Sequence, residues 1–304
     1  MSENIVKIIM TGLDNSGKTS IIYTLEQRFA SMYALKPTVS FTVREDFKIL
    51  GLPIKIWDLG GQKQYRDEYL SKKGFIFGET NLIFFVIDIQ DSKRYTEAVD
   101  YFEKSIDFLV KIGLRPIIIV LLHKADPEIR YTTKIRNQLE RLKELFATFP
   151  KDIQIEFYET SIYDRENLSK AFIAGIFKAI PKTAVIKEAL TDFMTNSDSI
   201  AVVLLDENVL ILAEASTDET ALNICQISGV FFANMSEKIL KYNIMPPNIL
   251  EAQMEDGWLF QKPIQIDKSR FYLVFFSKER SLDKINKLLP SITRDLSNLI
   301  KYVV

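Results

Sequence analysis

Residues Gly12-Leu13-Asp14-Asn15-Ser16-Gly17-Lys18-Thr19 have the types and spacing of a loop that cradles phosphate. Gly12 and Gly17 let the backbone turn its N–H groups toward an anion, and a following helix N-terminus adds positive potential. Lys18 can reach the terminal phosphates, and the Thr19 hydroxyl can ligate Mg2+. Asn15, Ser16 and Ser20 complete the candidate binding set. Asp14 leaves two readings open: a carboxylate beside the terminal phosphate that slows its transfer, or an outward Asx-turn residue.

A second group lies in Ile54-Lys55-Ile56-Trp57-Asp58-Leu59-Gly60-Gly61-Gln62. An acidic residue at a strand end beside a phosphate loop supports Mg2+, usually through water, so Asp58 joins Thr19 as a candidate metal residue. Gly61 can bring a backbone N–H to a γ-phosphate. Gln62 is neutral and carries both donor and acceptor, which suits orienting an attacking water. In Lys36-Pro37-Thr38-Val39, Thr38 can reach the metal only when a γ-phosphate is present, which makes its loop a candidate switch. In Leu122-His123-Lys124-Ala125-Asp126, the Asp126 carboxylate can accept two hydrogen bonds from guanine, and the Lys124 stem can cover the base. Ser161 and Ile162, in Glu159-Thr160-Ser161-Ile162, could support the guanine O6 region. His123 is the single histidine. It is either a satisfied core residue or a group that hydrogen-bonds the phosphate loop, and a general-base role is not expected.

These groups need strands that end at one edge. Apolar runs at Ile5–Met10, Phe41–Leu50, Leu52–Asp58, Asn81–Asp88, Pro116–Leu122 and Ile153–Glu159 read as strands. Helical patterns at Tyr95–Lys111, Thr133–Phe149 and Arg165–Ile180 separate the later ones. That alternation predicts a mostly parallel six-stranded α/β sheet with helices on both faces. The first pair, joined by little more than Gly51, reads as a hairpin with an antiparallel edge strand.

The rhythm changes after Pro181, so we expect domains at 1–182 and 183–304. The second should run helix, two strands, helix from about Asp218 to Tyr242, two or three strands within Trp258–Phe276, and a final helix. Pro290 should kink or split that last helix. The runs Ile200–Leu205, Val209–Ala215 and Phe271–Phe276 are apolar on both pleat faces, so their sheet must be covered on both sides. The helix from Asp218 carries more apolar positions than one stripe needs. The surplus would pack on a second copy or on the first domain.

With 39 Lys and Arg against 40 Asp and Glu, neither half is basic enough for nucleic-acid binding. Cys225 is the lone cysteine, which excludes an internal disulfide and fits a cytoplasmic, reducing compartment. The longest apolar runs are too short to span a bilayer. Ser2 follows Met1 and the chain ends Tyr302-Val303-Val304, so no acylation or prenylation signal is seen. Direct membrane insertion is not expected, and any recruitment to a membrane would come through a partner.

Over roughly residues 4–181 these motifs resemble the Ras-like small GTPases, and the phosphate loop and Trp57-Asp58-Leu59-Gly60-Gly61-Gln62 resemble the Arf/Arl group. His123-Lys124-Ala125-Asp126 departs from that group's Asn-Lys-x-Asp. The His form, like Thr160-Ser161-Ile162-Tyr163-Asp164, is similar to the Rag/Gtr GTPases of nutrient sensing. The resemblance implies a C-terminal roadblock (longin-like) dimerisation domain over 183–304, pairing with itself or a paralogue. It also implies a slow, Mg2+-dependent GTP-to-GDP switch working with activating and exchange proteins. The expected roles are Gln62, Lys18 and Gly61 in catalysis and Thr19, Thr38 and Asp58 at the metal. No arginine is obvious as an internal transition-state charge, with Arg66 the weak candidate. GTP should order loops at Lys36–Ser40 and Gly60–Phe77. A scaffold that binds GTP with little useful hydrolysis, and an ATP-using P-loop kinase, are the rival readings. Asp126 after Lys124 argues against the kinase.

Overall fold

The computed structural model describes residues 5–26, 36–49, 52–71, 76–146, 155–180, 184–266, 269–280 and 282–303. The chain divides into two compact units, Asn4–Phe47 with Pro53–Ala179, and Lys48–Leu52 with Ile180–Val304.

In the first unit the elements are β1 (Val6–Gly12), α1 (Lys18–Leu25), β2 (Phe41–Ile49), β3 (Leu52–Leu59), α2 (Lys63–Ser71), β4 (Leu82–Asp88), α3 (Tyr95–Lys111), β5 (Ile117–His123), α4 (Thr133–Phe146), β6 (Ile155–Thr160) and α5 (Arg165–Ala179). The sheet order is β2-β3-β1-β4-β5-β6. β1 pairs in parallel with β3 and β4, and β4, β5 and β6 continue in parallel. Two residues between β2 and β3 are too few for a crossover, so this neighbouring pair runs antiparallel. β4 and β5 are buried on both faces because helices cover both, hence their unbroken runs Leu-Ile-Phe-Phe-Val-Ile and Ile-Ile-Ile-Val-Leu-Leu. Phe84 stacks on Phe172 of α5 with ring centroids 5.0 Å apart, and on the other face Phe85 meets Phe102 of α3 edge-on at 4.9 Å. Strand order reverses beside β1, and at such a point the carboxyl strand ends open a crevice.

In the second unit, α6 (Ala184–Asn196) precedes β7 (Ser199–Asp206) and β8 (Ile211–Ser216). Then come α7 (Glu219–Leu240), β9 (Leu250–Met254), β10 (Gly257–Ile266), β11 (Ser269–Ser277) and α8 (Leu282–Val303). The order β8-β7-β11-β10-β9 is antiparallel throughout. Asp218 caps α7, its carboxylate accepting from the Ala221 N–H at 2.8 Å. α7 covers one face, packing Ala221, Cys225 and Ala233 against Val203, Leu205 and Val274. Phe193 of α6 meets Phe275 on the other at 5.5 Å. The expected cover on both faces is therefore present.

Of the two outcomes expected at Pro290, the split does not occur: the proline lies inside α8. One missing N–H is offset by the buried stripe Ile285, Leu289, Ile292 and Leu296 on both sides of the proline. The segment after Gln62 is not simply a loop, since Lys63–Ser71 form α2. No helix among the described residues is long and apolar enough to cross a membrane.

Candidate functional site

The phosphate loop joins β1 to α1 at the carboxyl edge of the sheet. Gly17 takes a φ of 98° and Asn15 one of 59° in a tight turn. Lys18 is buried, and its ammonium donates to the Leu13 carbonyl at 2.7 Å, the Gly12 carbonyl at 3.2 Å and Ser16 Oγ at 3.4 Å. Burial pulls its pKa down to about 8, against the opposing charges of Asp58 and Asp14. An ammonium resting only on neutral oxygens is ready to exchange them for phosphate oxygens.

Thr19 Oγ1 donates to Asp58 Oδ2 at 2.6 Å, and Thr38 Oγ1 lies 3.1 Å from Thr19 Oγ1. Asp58 Oδ1 is buried with no hydrogen-bond partner. Burial raises the Asp58 pKa, while the Thr19 bond and the Lys18 charge pull it down. Two hydroxyls and a carboxylate with one orphaned oxygen form an all-oxygen set that fits Mg2+ better than a softer metal.

The Gly60 N–H donates to the Ser40 carbonyl at 2.7 Å, and the Asp14 N–H to the Gly61 carbonyl at 3.0 Å. The Gln62 carbonyl accepts from the N–H groups of Tyr65 and Arg66 at 3.0 and 3.1 Å, so Gln62 opens α2. One cleft is lined by Asp14, Asn15, Gly17, Lys18, Thr19 and Ser20 with Lys36, Thr38, Gly61 and Gln62. Most of the phosphate, metal and water-orienting candidates thus line one cleft, while Asp58 stands behind Thr19 and Gly12 and Ser16 hold the Lys18 ammonium.

The base-reading candidates stand at the ends of β5 and β6. Asp126 Oδ1 accepts from Ser161 Oγ at 2.6 Å, and Ile162 follows in the turn, half-buried. The Lys124 ammonium is fixed on Asp88 at 2.6 Å. His123 is buried, with Nδ1 3.1 Å from Thr160 Oγ1. Its ring lies so close to Gly17 that a Cβ there would come within 2.6 Å of His123 Cδ2. Burial, aided by the Lys124 charge, pushes its pKa down to about 3, so the ring is neutral near pH 7 and a poor proton acceptor.

A sequence model of the Gtr1/RagA G protein conserved region matches residues 7–239. The chain belongs to that family. It is 25% identical over 250 residues to the Ras-related GTP-binding protein A of Dictyostelium discoideum, covering 79% of this chain and 81% of the relative. With the GTP-binding protein gtr1 of Schizosaccharomyces pombe it shares 23% over 218 residues, 70% of this chain and 69% of that one. An Arf-like likeness also stands: ADP-ribosylation factor-like protein 3 of Chlamydomonas reinhardtii is 35% identical over 96 residues, 32% of this chain and 50% of its own length. The match to this G protein family runs past the first unit into α7.

Several contributors escaped the sequence reading. Gln90 donates to the Lys124 carbonyl at 2.9 Å and to Asp126 Oδ2 at 3.2 Å, holding the carboxylate oxygen that Ser161 does not take. Its signal was its place just past β4, at the same strand-end edge. Arg94 Nη2 donates to Asp14 Oδ1 at 2.7 Å, and this bond holds the Asp14 carboxyl below its ordinary pKa. Arg66, the weak internal candidate for the transition-state charge, is buried on Tyr101 at 5.1 Å and paired with Glu97, and it does not line the cleft.

Proposed function

We propose that this G protein is a guanine-nucleotide switch that hydrolyses GTP to GDP with Mg2+, its loops at Thr38 and Gly61 reporting the γ-phosphate. The observation that carries the reading is Asp126, oriented by both Ser161 and Gln90 at the edge that holds the phosphate loop. Its carboxylate would accept from guanine N1–H and the exocyclic amine, which adenine cannot match. Thr19, Thr38 and Asp58 would hold Mg2+, which supplies charge neutralisation on the phosphates. Lys18 trades its loop carbonyls for terminal phosphate oxygens. The Gln62 amide orients the attacking water, and the Gly61 N–H serves the γ-phosphate. With Arg66 committed to Glu97, the missing positive charge would come from an activating protein, and intrinsic turnover is slow.

The test is competition and turnover on the full chain. GTP and GDP should displace labelled GDP while ATP does not, and Asp126→Asn should shift preference toward xanthine nucleotides. Lys18→Ala should abolish retention. Gln62→Leu should keep GTP yet lower hydrolysis, on the order of tenfold or more. Equal displacement by ATP sinks the guanine reading. Wild-type turnover in Gln62→Leu, with or without an activator, leaves a GTP-binding scaffold instead.

We also infer that 183–304 is a dimerisation domain. Ile227 and Phe231, one helical turn apart on α7, are 69% and 66% exposed although their helix is otherwise packed on its sheet. That is the surplus expected of a helix that meets a second copy or a paralogue.

A further inference from the structure

An acidic side chain beside a terminal phosphate repels the ligand that the loop is built to hold. Asp14 sits in that loop and lines the cleft. Its carboxylate, however, is engaged from behind by Arg94, whose Nη2 donates to Oδ1 at 2.7 Å and Nη1 to the Asp14 carbonyl at 3.4 Å. The same guanidinium donates through Nε to Glu97 Oε2 at 2.9 Å. Glu97 also takes Arg66, which projects from α2 and is almost fully buried. Arg66 lies over the Tyr101 ring, and the Tyr101 hydroxyl is 2.8 Å from Thr11 Oγ1 on the strand that leads into the phosphate loop. Two carboxylates and two guanidiniums alternate along this chain, so its charge is balanced.

We propose that Arg94 is a positioning residue: it holds the Asp14 carboxylate off the γ-phosphate and, through Glu97 and Arg66, ties the phosphate loop to the helix that Gln62 opens. This rests on the guanine-nucleotide reading above. Three properties follow from the geometry. Neutralisation of Asp14 matters more for GTP than for GDP, because only GTP brings the γ-phosphate charge. Arg94 acts through Asp14 and not on the phosphate, because it does not line the nucleotide cleft. The loop and α2 are tied together, because the Asp14 N–H holds the Gly61 carbonyl at 3.0 Å while Arg94, through Glu97, reaches Arg66 on α2.

The experiment measures the ratio of GTP to GDP affinity by competition against a fluorescent guanine nucleotide, in full-length protein with Mg2+. Arg94→Ala should lower that ratio roughly tenfold or more, since it frees a carboxylate that lines the nucleotide cleft. Adding Asp14→Asn to Arg94→Ala should restore the ratio, and Arg94→Lys, which keeps the charge, should retain most of it. Glu97→Gln should shift the ratio less but raise the dissociation rates of both nucleotides. If Arg94→Ala does not fold, as judged by thermal unfolding, Arg94→Gln carries the same comparison. An unchanged ratio in the Arg94 variant overturns the proposal. So does a lowered ratio that Asp14→Asn fails to restore, because Arg94 would then touch the phosphate itself or act only on stability. A wild-type chain that binds neither nucleotide removes the functional reading and this proposal together, whereas binding with an unmoved ratio removes this proposal alone.

Discussion

His123 stands at the edge where, on the proposed reading, the base would bind. Its ring is wedged between Thr160 and Gly17, so the residue that follows β5 also props the phosphate loop. Burial makes this a pH matter. The native ring, pushed down to about 3, stays neutral where the unfolded ring, near its ordinary value of 6.5, takes a proton. The unfolded state thus binds more protons as pH falls through 6.5, and stability drops with it. At pH 5.5 the loss from this group is on the order of 1 kcal/mol, nearly all of it absent at pH 7.5. Denaturant unfolding of wild type and His123→Asn at those two pH values should show the variant losing about that much less on acidification. Equal acid losses would mean that His123 does not stay neutral in the fold. The motif residues of the site were legible because each type is demanded by phosphate or base chemistry at fixed spacing. Gln90 and Arg94 were not, because Arg94 finds Asp14 across 80 positions and nothing local in the sequence marks that partnership.

The elements of the first unit follow from patterning wherever aliphatic side chains make the core. β4 and β5 announced themselves as unbroken apolar runs, and α3 and α4 as stripes. α2 did not, for a physical reason: the side chains it buries include Arg66 and Tyr69, one paired with Glu97 and the other bonded to the Ser40 carbonyl. A periodicity built on aliphatic residues does not see such a helix. β9 was missed on the same grounds, its Leu-Glu-Ala-Gln-Met being only half-buried at the sheet edge. The junction ahead of α2 yields a prediction for the whole switch element. A Cβ on Gly61 would lie 2.2 Å from the Asp14 nitrogen and 2.2 Å from the Leu13 carbonyl carbon, both backbone. Gly61→Ala must therefore push the segment off the phosphate loop and lose the Asp14–Gly61 bond. We expect a stability loss of about 1–3 kcal/mol and a GTP affinity reduced more than that for GDP. Calorimetric titration with both nucleotides checks it, and equal weakening of the two would detach Gly61 from the γ-phosphate.

For the whole molecule, the question is why a G protein carries an antiparallel sheet of its own. The centre of that sheet is covered by its own chain: α7 lies on one face and α6 on the other, with β7 and β11 buried between them. Nothing about its core requires a partner. Apolar surface is left just past the end of α7, at Tyr242, Ile244 and Met245, and on its outer side, where Ile227 and Phe231 stand exposed at a spacing of four. Because both are exposed, replacing them should cost the protomer little, within about 0.5 kcal/mol, whereas at a packed twofold interface each would be a principal anchor. The discriminating variant is Ile227→Glu with Phe231→Glu in the full chain. Unfolding should match wild type, while light scattering at tens of micromolar protein should show a dimer for wild type and a monomer for the variant. A wild-type monomer would reject self-pairing and leave a paralogue as the partner for this helix face. A variant that remains dimeric would move the interface elsewhere on the chain. Only the first pattern, intact folding with lost association, makes α7 the surface on which this G protein assembles.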